Sequence, residues 1–458
     1  MILHIENLGA IKQAQIDLTN KFLLLCGKNN TGKTYASYIL YAFLSDKGIP
    51  STSLGCIDEV VTQIKLEGII TLKRDYIEEW LQDNCNRVKG ALGSIFGVAD
   101  AIKSKLFNGF DLRAEYTDSD FDRAIAATVS ARFASDDYSV VVKKDAGNAT
   151  AKVEVQSTTG QSMELDYGRI QTLVYALLRK LALGGMSDAW MLTVERNSIY
   201  TFKTELSLSR NELIDHIQQS EGSEINIIDM INKSSRRYPM AIRSSLRIAN
   251  DLENVQKYVG DYSSIADLIE RDLLNGEVSM TKNGDVEFHS VGMGKSRRLP
   301  FHMSSSIVKT MASLVVYLRH VARRGDMLII DEPEMNFHPD VQVLLARIFV
   351  LLTAKGLRVV LSTHSDYIIR ELNNLIMAGT IRKSGNEGIA KEMGYMDDML
   401  LDHNDIAVML FEQTGNGKVK VRQLVVDDKG FAVESIDRTI DRQNEDAEAL
   451  YAMLIDNE

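Results

Sequence analysis

The sequence predicts an α/β fold with N-terminal strands, a mixed and largely parallel sheet, and a helical insertion. Three observations predict it. Short apolar segments alternate with helical patterns at the start of the chain and again after Gly276, a glycine-containing loop joins one apolar segment to a helix, and 45% of the 458 residues are hydrophobic. Apolar strands that alternate with helices are typical of parallel sheets covered by helices, and this length allows two to four domains.

The composition excludes several classes of protein. The chain has 52 Lys and Arg against 63 Asp and Glu, a net charge of −11, which argues against coating nucleic acid through bulk charge but permits a local basic patch. Three cysteines are too few for a disulfide framework or a zinc cluster. The first residues do not resemble a signal peptide, and no apolar run approaches the length of a membrane span. We therefore expect a cytoplasmic protein without a membrane partner.

The elements follow in order along the chain. Alternating or apolar residues predict strands at Met1–Glu6, Lys12–Leu18 and Lys21–Cys26, and a hairpin from Tyr138–Lys144 and Ala151–Gln156. From such patterns we predict four parts: an N-terminal part of the sheet domain at 1–204 with a helical segment at about 76–135, a helical insertion arm at 205–275, a C-terminal part of the sheet domain at 276–380, and an α/β tail at 381–458.

A phosphate-binding loop follows the third predicted strand and precedes a helix. It consists of Gly27, Lys28, Asn29, Asn30, Thr31, Gly32, Lys33 and Thr34. The two glycines let backbone N–H groups point at one anion, Lys33 reaches the terminal phosphates, and the Thr34 hydroxyl suits Mg²⁺. The positive N-terminal end of the following helix adds to the attraction. The loop predicts ATP and magnesium as ligands, with a simple Gly/Asn turn as the alternative.

Two acids end the apolar segment that begins at Met327. Asp331 is predicted to hold magnesium together with Thr34, and Glu332 to accept a hydrogen bond from the attacking water. Acids after a strand are often only a solvated loop, but a phosphate loop in the same chain favours the functional interpretation.

A histidine follows another apolar segment, in the run Thr363-His364-Ser365. At the same edge of the sheet, His364 could contact the γ-phosphate and orient water without being the primary base. A structural histidine is the alternative.

Three hydroxyls, Ser304, Ser305 and Ser306, open a predicted helix. They could be only a helix cap, or the helix N-terminus could be an anion site. Because the helix starts far from the phosphate loop of its own chain, an anion site here would serve a partner copy.

In this order, the phosphate loop, the serine-led helix, Asp331-Glu332-Pro333 and Thr363-His364 resemble the ABC-type ATPase head of the SMC, RecF and OLD-like families. The resemblance covers 1–60 and about 276–375. It implies slow, regulated hydrolysis of ATP to ADP and phosphate in a homodimer or higher homo-oligomer. There the serines correspond to the signature motif that closes on ATP of the opposing subunit. This chain has Ser306 and Ile307 where the usual Leu-Ser-Ser-Gly-Gly/Glu form has glycine.

A second likeness is narrower. The phosphate loop, the run from Asp331 to Pro339 and the run after Thr363 resemble the stand-alone ATPases of anti-phage systems such as Septu, PARIS and Gabija. This implies a sensor or scaffold in antiviral defence that controls a separately encoded effector, a nuclease or a toxin. Val425–Gly430 is the nearest match to the Toprim nuclease of such systems, and we interpret it as a β-turn.

The turn Val194–Ser198 is also similar to a turn in those ATPases. Arg196 would then approach the nucleotide or the facing subunit, with a surface ion pair as the alternative. Asn336–Asp340 resembles the loop that crosses the dimer in ABC-type heads.

Two basic stretches leave nucleic-acid binding open. They contain Lys233, Arg236, Arg237, Arg243 and Arg247, and then Lys295, Arg297 and Arg298. Such stretches are more often solvated surface, and an acidic partner is a further alternative. The alternative function is a RecF-like DNA-repair or maintenance ATPase that clamps DNA, and a transporter ATPase fits the helical arm poorly.

Overall fold

The computed structural model describes residues 1–45, 55–134, 138–157, 167–203, 238–281, 284–292, 298–385, 387–415 and 417–455. Its strands are β1 (Ile2–Leu8), β2 (Ile11–Asp17), β3 (Phe22–Gly27), β4 (Ile69–Thr71), β5 (Asp111–Glu115), β6 (Val129–Ala134), β7 (Tyr138–Lys144), β8 (Thr150–Ser157), β9 (Ala189–Leu192), β10 (Gly276–Met280), β11 (Val286–Ser290), β12 (Leu299–Pro300), β13 (Met327–Asp331), β14 (Arg358–Thr363), β15 (Ile406–Gln413) and β16 (Val419–Leu424).

The α-helices of these residues lie between the strands, except for the last, which follows β16. They are α1 (Lys33–Leu44), α2 (Ile57–Glu67), α3 (Arg74–Gly90), α4 (Leu92–Phe96), α5 (Asp100–Leu106), α6 (Asp118–Ala126), α7 (Tyr167–Ala182), α8 (Met240–Asn250), α9 (Leu252–Val255), α10 (Ser263–Ile269), α11 (Ser306–Val316), α12 (Pro339–Ala354), α13 (Asp366–Lys383), α14 (Glu387–Glu392) and α15 (Glu434–Ile455). Residues 196–203 are also helical. None of the helices in the described residues combines the length and apolar composition needed to cross a lipid bilayer.

A nine-stranded sheet organises the molecule. Its strand order is β5-β1-β2-β16-β15-β3-β14-β13-β9. The five strands from β15 to β9 run parallel, whereas the pairs β1–β2, β1–β5 and β15–β16 are antiparallel. The predicted α/β class, with a mixed and largely parallel sheet and N-terminal strands, is confirmed.

The core lies on both faces of this sheet. Along β3, Leu23 and Leu25 belong to one buried cluster, with α1, α3 and α7, while Phe22 and Leu24 belong to the other, with α11, α12 and α13. Side chains alternate between the two faces of a strand, so a strand covered on both faces is apolar throughout. This explains the run of apolar residues before the phosphate loop.

Two smaller antiparallel sheets flank the large one. The predicted hairpin is confirmed, because β7 and β8 pair antiparallel within the sheet β4-β8-β7-β6. The segment at about 76–135 is mainly helical but also contains β5 and β6, which the sequence prediction missed. β5 pairs with β1 at the edge of the large sheet, so tertiary pairing decides its conformation.

The predicted insertion arm at 205–275 is only partly visible. Residues 204–237 lie outside the described residues, as do Lys233, Arg236 and Arg237. The described remainder packs on the sheet domain: Met240 and Ala241 are buried in the core, and the Tyr41 hydroxyl donates a hydrogen bond to Ser244. The described part is helical and its apolar residues are buried against the sheet domain, while the insertion arm at 205–275 as a unit stays a prediction.

The segment predicted as a tail also joins the large sheet. β15 pairs with β3 and β16 pairs with β2, so residues 406–424 complete the sheet beside the phosphate loop. Apolar residues of β15 such as Val408 and Leu410 belong to the buried cluster that also contains Phe22 and Leu24 of β3. The predicted turn at Val425–Gly430 is confirmed, since Asp427 and Gly430 exchange backbone hydrogen bonds.

Candidate functional site

The phosphate loop, residues 27–34, leaves the carboxyl end of β3 and enters α1. Three of its residues have positive φ angles, Gly27 at 136°, Asn30 at 62° and Gly32 at 90°. A Cβ atom at Gly27 would clash with the carbonyl oxygen of Phe411 on β15, so this position requires glycine. The fold therefore provides the left-handed conformations that turn backbone N–H groups toward an anion at a helix N-terminus.

Lys33 is folded over the loop. Its ammonium group donates hydrogen bonds to the carbonyl oxygens of Gly27, at 2.8 Å, and Lys28, at 2.9 Å. Burial lowers the pKa of Lys33, and the carboxylates of Asp331 and Glu332 oppose this shift. A phosphate group would bring the charged acceptors that this buried cation lacks.

Thr34 connects the loop to β13. Its hydroxyl donates a hydrogen bond of 2.6 Å to Oδ2 of Asp331. Asp331 is 1% exposed, and its Oδ1 has no hydrogen-bond partner in the described part of the chain. Burial raises the pKa of Asp331, and the Thr34 hydroxyl acts against this rise. A buried carboxylate oxygen without a partner, next to a hydroxyl, suits a hard cation such as Mg²⁺.

Glu332 follows in a strained conformation. Its φ angle is 45°, in the left-handed region, which costs about 1–3 kcal/mol for a residue with a side chain. Its N–H donates to the carbonyl oxygen of Ser362 on β14 at 2.9 Å. Its carboxylate is partly exposed and lies 3.8 Å from Nδ1 of His364. The acid next to Asp331 is thus open to a ligand, while its backbone is held.

His364 lies at the end of β14, and Glu334 holds it there. Oε1 of Glu334 accepts hydrogen bonds from the Thr363 hydroxyl at 2.6 Å and from the His364 N–H at 3.0 Å. Glu334 is 6% exposed, and its Oε2 has no partner among the described residues. Sequence reasoning missed Glu334. Its only signal was a second acid two residues after Glu332, and burial could not be read from that.

We call Asp331, Glu332 and Glu334 the acidic edge of the site. It lies beside the phosphate loop because the strands carrying the two regions are close neighbours in the large sheet. β14 lies between β3 and β13, with Thr363 opposite Cys26 and Ser362 opposite Asp331.

Arg196 lies behind the acidic edge. It is 1% exposed and donates hydrogen bonds to the carbonyl oxygens of Thr193 (2.9 Å), Asp331 (2.7 Å) and Glu332 (2.6 Å). The alternative of a surface ion pair is therefore wrong. Its side chain is also committed to backbone oxygens in place of a nucleotide or a facing subunit, because the end of β9 lies next to the end of β13.

Ser304, Ser305 and Ser306 precede and begin α11. Ser305 is the N-cap residue, but its side chain makes no capping hydrogen bond. Ser304 is buried, and its hydroxyl has no partner within the described ranges. No hydrogen bond or ion pair of the described residues connects these serines to the phosphate loop of the same chain. The three hydroxyls therefore do not form a simple helix cap within the described residues.

Two other predicted surfaces are the loop Asn336–Asp340 and the basic stretches, of which the second is only partly described. Asn336 has a φ angle of 64°, and His338 is exposed and 2.6 Å from the exposed Asp340, while Phe337 between them is buried. Lys295 and Arg297 lie outside the described residues. Of the described basic residues, Arg243 bonds Ser94, Arg298 lies 3.5 Å from Glu287, and Arg247 is exposed.

Comparison with known proteins adds a family. The profile described as "AAA ATPase domain" matches residues 1–369. No curated protein matches the sequence.

The solved structures that resemble the chain include three SMC heads. The Smc head bound to the C-winged helix domain of ScpA has 10% identity and a TM-score of 0.35, over 93% of this chain and 97% of that chain. A Smc head domain with an extended coiled coil, bound to the C-terminal domain of ScpA from Pyrococcus furiosus, has 11% identity and a TM-score of 0.36. The match covers 97% of this chain and 98% of that chain. The SMC head domain from Thermotoga maritima has 9% identity and a TM-score of 0.30, and the match covers 93% of this chain and 98% of that chain. At such low TM-scores, no conclusion rests on these likenesses.

Proposed function

Because the chain belongs to the AAA ATPase domain family and is an ATPase, we propose that ATP binds at its phosphate loop and is hydrolysed at the acidic edge. The observation that carries this proposal is the contact between the two regions, the 2.6 Å hydrogen bond from Thr34 to the buried Asp331. ATP-binding residues are proposed to be Gly27, Lys28, Asn29, Asn30, Thr31, Gly32, Lys33 and Thr34. Their N–H groups and the Lys33 ammonium would hold the phosphates.

Thr34 and Asp331 would hold magnesium. Oδ1 of Asp331, which has no hydrogen-bond partner among the described residues, and the adjacent hydroxyl fit Mg²⁺, which usually takes one or two protein oxygens and completes its shell with phosphate and water. When bound, the ion would neutralise charge on the phosphates. In its absence Asp331 keeps the hydrogen bond from Thr34.

Glu332 and His364 would act on the γ-phosphate side. The partly exposed Glu332 carboxylate can accept a hydrogen bond from the attacking water, and His364 can donate one to the γ-phosphate. Their separation of 3.8 Å allows both to face one small group. Glu334 would orient His364 through its backbone N–H.

A second copy of the chain would complete the site. Ser304, Ser305 and Ser306 start a helix whose N-terminal N–H groups suit an anion, and Met303 beside them is 64% exposed. Since these serines make no bond to the phosphate loop of their own chain within the described residues, we propose that they cover ATP held by a second copy in a head-to-head homodimer.

The Glu332→Gln variant tests this arrangement. Binding should persist while water activation fails, so ATP should convert the variant from monomer to dimer, measured by light scattering after gel filtration. Adding Ser306→Arg should prevent the dimer, whereas Ser104→Arg, at an exposed serine of α5, should not. Wild-type turnover in Glu332→Gln would show that another residue activates water. A dimer that survives Ser306→Arg would overturn the shared site.

In the cell, we propose that this cytoplasmic ATPase is the sensor or scaffold of an antiviral system with a separately encoded effector. The motifs that resemble anti-phage ATPases support this role, and the turn at Val425–Gly430 offers no nuclease strand end. Stoichiometric co-purification with the product of a neighbouring gene is the expected result. A chain that purifies alone and binds DNA more weakly as salt rises would instead favour the RecF-like alternative.

A further inference from the structure

Arg196 is a buried cation whose hydrogen bonds go to main-chain oxygens. Nη1 bonds the carbonyl oxygens of Thr193 and Asp331, and Nη2 bonds that of Glu332. The planar guanidinium thus spans the two consecutive carbonyl groups of the acidic edge. An ammonium group is a single point of attachment and cannot reproduce this fork.

The surroundings keep this arginine charged. Burial lowers the pKa of Arg196 to about 10, while the carboxylates of Glu334, Asp331 and Glu332 oppose the shift. The guanidinium group compensates part of the negative charge of the acidic edge, whose carboxylates lie around it. A buried charge held this way is costly to remove, because its partners are left unpaired.

Arg196 donates a hydrogen bond to Glu332, a residue whose backbone is strained. Glu332 has a φ angle of 45°, with its N–H held by Ser362 of β14 and its carbonyl oxygen held by Arg196. Strained conformations persist only where surrounding contacts impose them. With one anchor removed, Glu332 is free to relax toward an unstrained conformation, which would redirect its carboxylate.

Arg196 also touches the serine-led helix. Its own carbonyl oxygen accepts a hydrogen bond of 3.3 Å from the hydroxyl of Ser313, a buried residue of α11. Ser313 lies about two helical turns after Ser306, the first residue of that helix. One residue thus joins the helix proposed to cover ATP of a second copy to the acid proposed to activate water.

We propose that Arg196 is a positioning residue that sets the direction of the Glu332 carboxylate and couples it to α11. The inference rests on the proposed function, since it assigns Arg196 a part in the same hydrolysis. When ATP engages the start of α11, the helix transmits the contact through Ser313 and Arg196 to the backbone of Asp331 and Glu332. Hydrolysis then depends on formation of the dimer. The Glu332 carboxylate reaches its active orientation only when the start of α11 contacts ATP of the second copy.

The test separates turnover from binding. Arg196→Lys keeps the positive charge but loses the fork, and a misplacement of about 1 Å at a reacting group can cost ~100-fold. We expect kcat for ATP to fall about 100-fold, with the Kd for ATP changed less than about threefold. Arg438→Lys, at an exposed arginine of α15, should change neither. Wild-type kcat in a folded Arg196→Lys protein would overturn the proposal.

Ser313→Ala provides a milder variant in case Arg196→Lys fails to fold. It removes one hydrogen bond to Arg196, and we expect a fall in kcat of about fivefold without a change in the Kd for ATP. If both residues act along one path, the double variant should turn over no more slowly than Arg196→Lys alone. Additive losses, or full activity in Ser313→Ala, would overturn the coupling.

The same measurements distinguish the two proposals. If Glu332→Gln hydrolyses ATP normally, another residue activates water and the proposed role of Glu332 fails. If Glu332→Gln is inactive while Arg196→Lys and Ser313→Ala are fully active, only the role of Arg196 fails.

Discussion

The phosphate loop and the acidic edge lie side by side but are built in opposite ways. The phosphate loop is one continuous segment, residues 27–34, whose shape comes from two glycines and Asn30 in left-handed conformations. The acidic edge comes from the end of β13 and the residues after it, and buried hydrogen bonds from Arg196, which follows β9, and from Thr363 of β14 hold it. The first region is therefore specified locally, and the second depends on the whole sheet.

This difference separates two tasks. A continuous loop of N–H groups with the buried Lys33 can bind a phosphate chain before anything else is arranged. The acidic edge is held through Arg196, Thr363 and Ser362, so its geometry can respond to neighbouring elements. Damage to the loop should remove binding, and damage to the acidic edge should remove turnover while binding remains.

The largest expected effect comes from Lys33→Ala, which tests the loop. The Lys33 ammonium is the buried cation of the loop, and charge-assisted hydrogen bonds to phosphate contribute about 1.5–3 kcal/mol each. We expect the Kd for ATP, measured by titration calorimetry, to rise about 1000-fold. Lys65→Ala, which removes an exposed lysine of α2, should leave the Kd unchanged. Tight ATP binding by Lys33→Ala would show that the loop does not hold the phosphates.

Glu334→Ala is expected to have an intermediate effect and tests the acidic edge. The change leaves the Thr363 hydroxyl and the His364 N–H without their acceptor, so His364 loses its position. We expect kcat for ATP to fall about 10–30-fold with little change in Kd. Glu334→Gln should recover most of this activity, because the amide oxygen can accept both bonds.

The matched control is Glu67→Gln at an exposed acid of α2, which should behave as wild type. If Glu334→Gln were as impaired as Glu334→Ala, the charge of Glu334 rather than its hydrogen bonds would be its contribution. If Glu334→Ala lost ATP binding as well, the division between binding and turnover would be wrong.

The same difference explains what could be predicted from the sequence. Gly27, Gly32, Lys33 and Thr34 stand at fixed spacing, so a local pattern identified the loop. The apolar segments before Asp331 and His364 predicted that their ends would meet at one sheet edge, and the register confirms that placement. These inferences needed only strand periodicity and a short motif.

The missed features depend on tertiary contacts. The sequence identified Arg196 through a resembling turn but left a surface ion pair as the alternative, and its burial depends on the pairing of β9 with β13. Likewise, β15 and β16 complete the large sheet although more than 300 residues separate them from β3 and β2 along the chain, and local patterns carry no information about such pairing. The helix that begins at Met240 packs on the sheet domain through contacts with residues far away in the sequence, which local patterns do not indicate either.

The smallest expected effect comes from Thr34→Val, at the contact between the two regions. Without nucleotide, the Thr34 hydroxyl is a hydrogen-bond donor to the buried Asp331 carboxylate, so its loss should lower the free energy of unfolding by about 1–2 kcal/mol in EDTA. Thr34→Ser keeps the hydroxyl and should retain most of the stability, and Thr62→Val, at an exposed threonine of α2, should have little effect.

The pH dependence of Thr34→Val gives a further check on the contact. Burial already raises the pKa of Asp331, and the Thr34 hydroxyl opposes that rise, so its removal should raise the pKa of Asp331 further in the folded state. The folded variant then binds a proton more tightly than the folded wild type. Its loss of stability should be fully present at pH values above the raised pKa and should shrink as the pH falls through it. Denaturant unfolding at several pH values measures this. A difference that grows as the pH falls would mean that Thr34 and Asp331 do not share this bond, and the loop and the acidic edge would then be independent in the free protein.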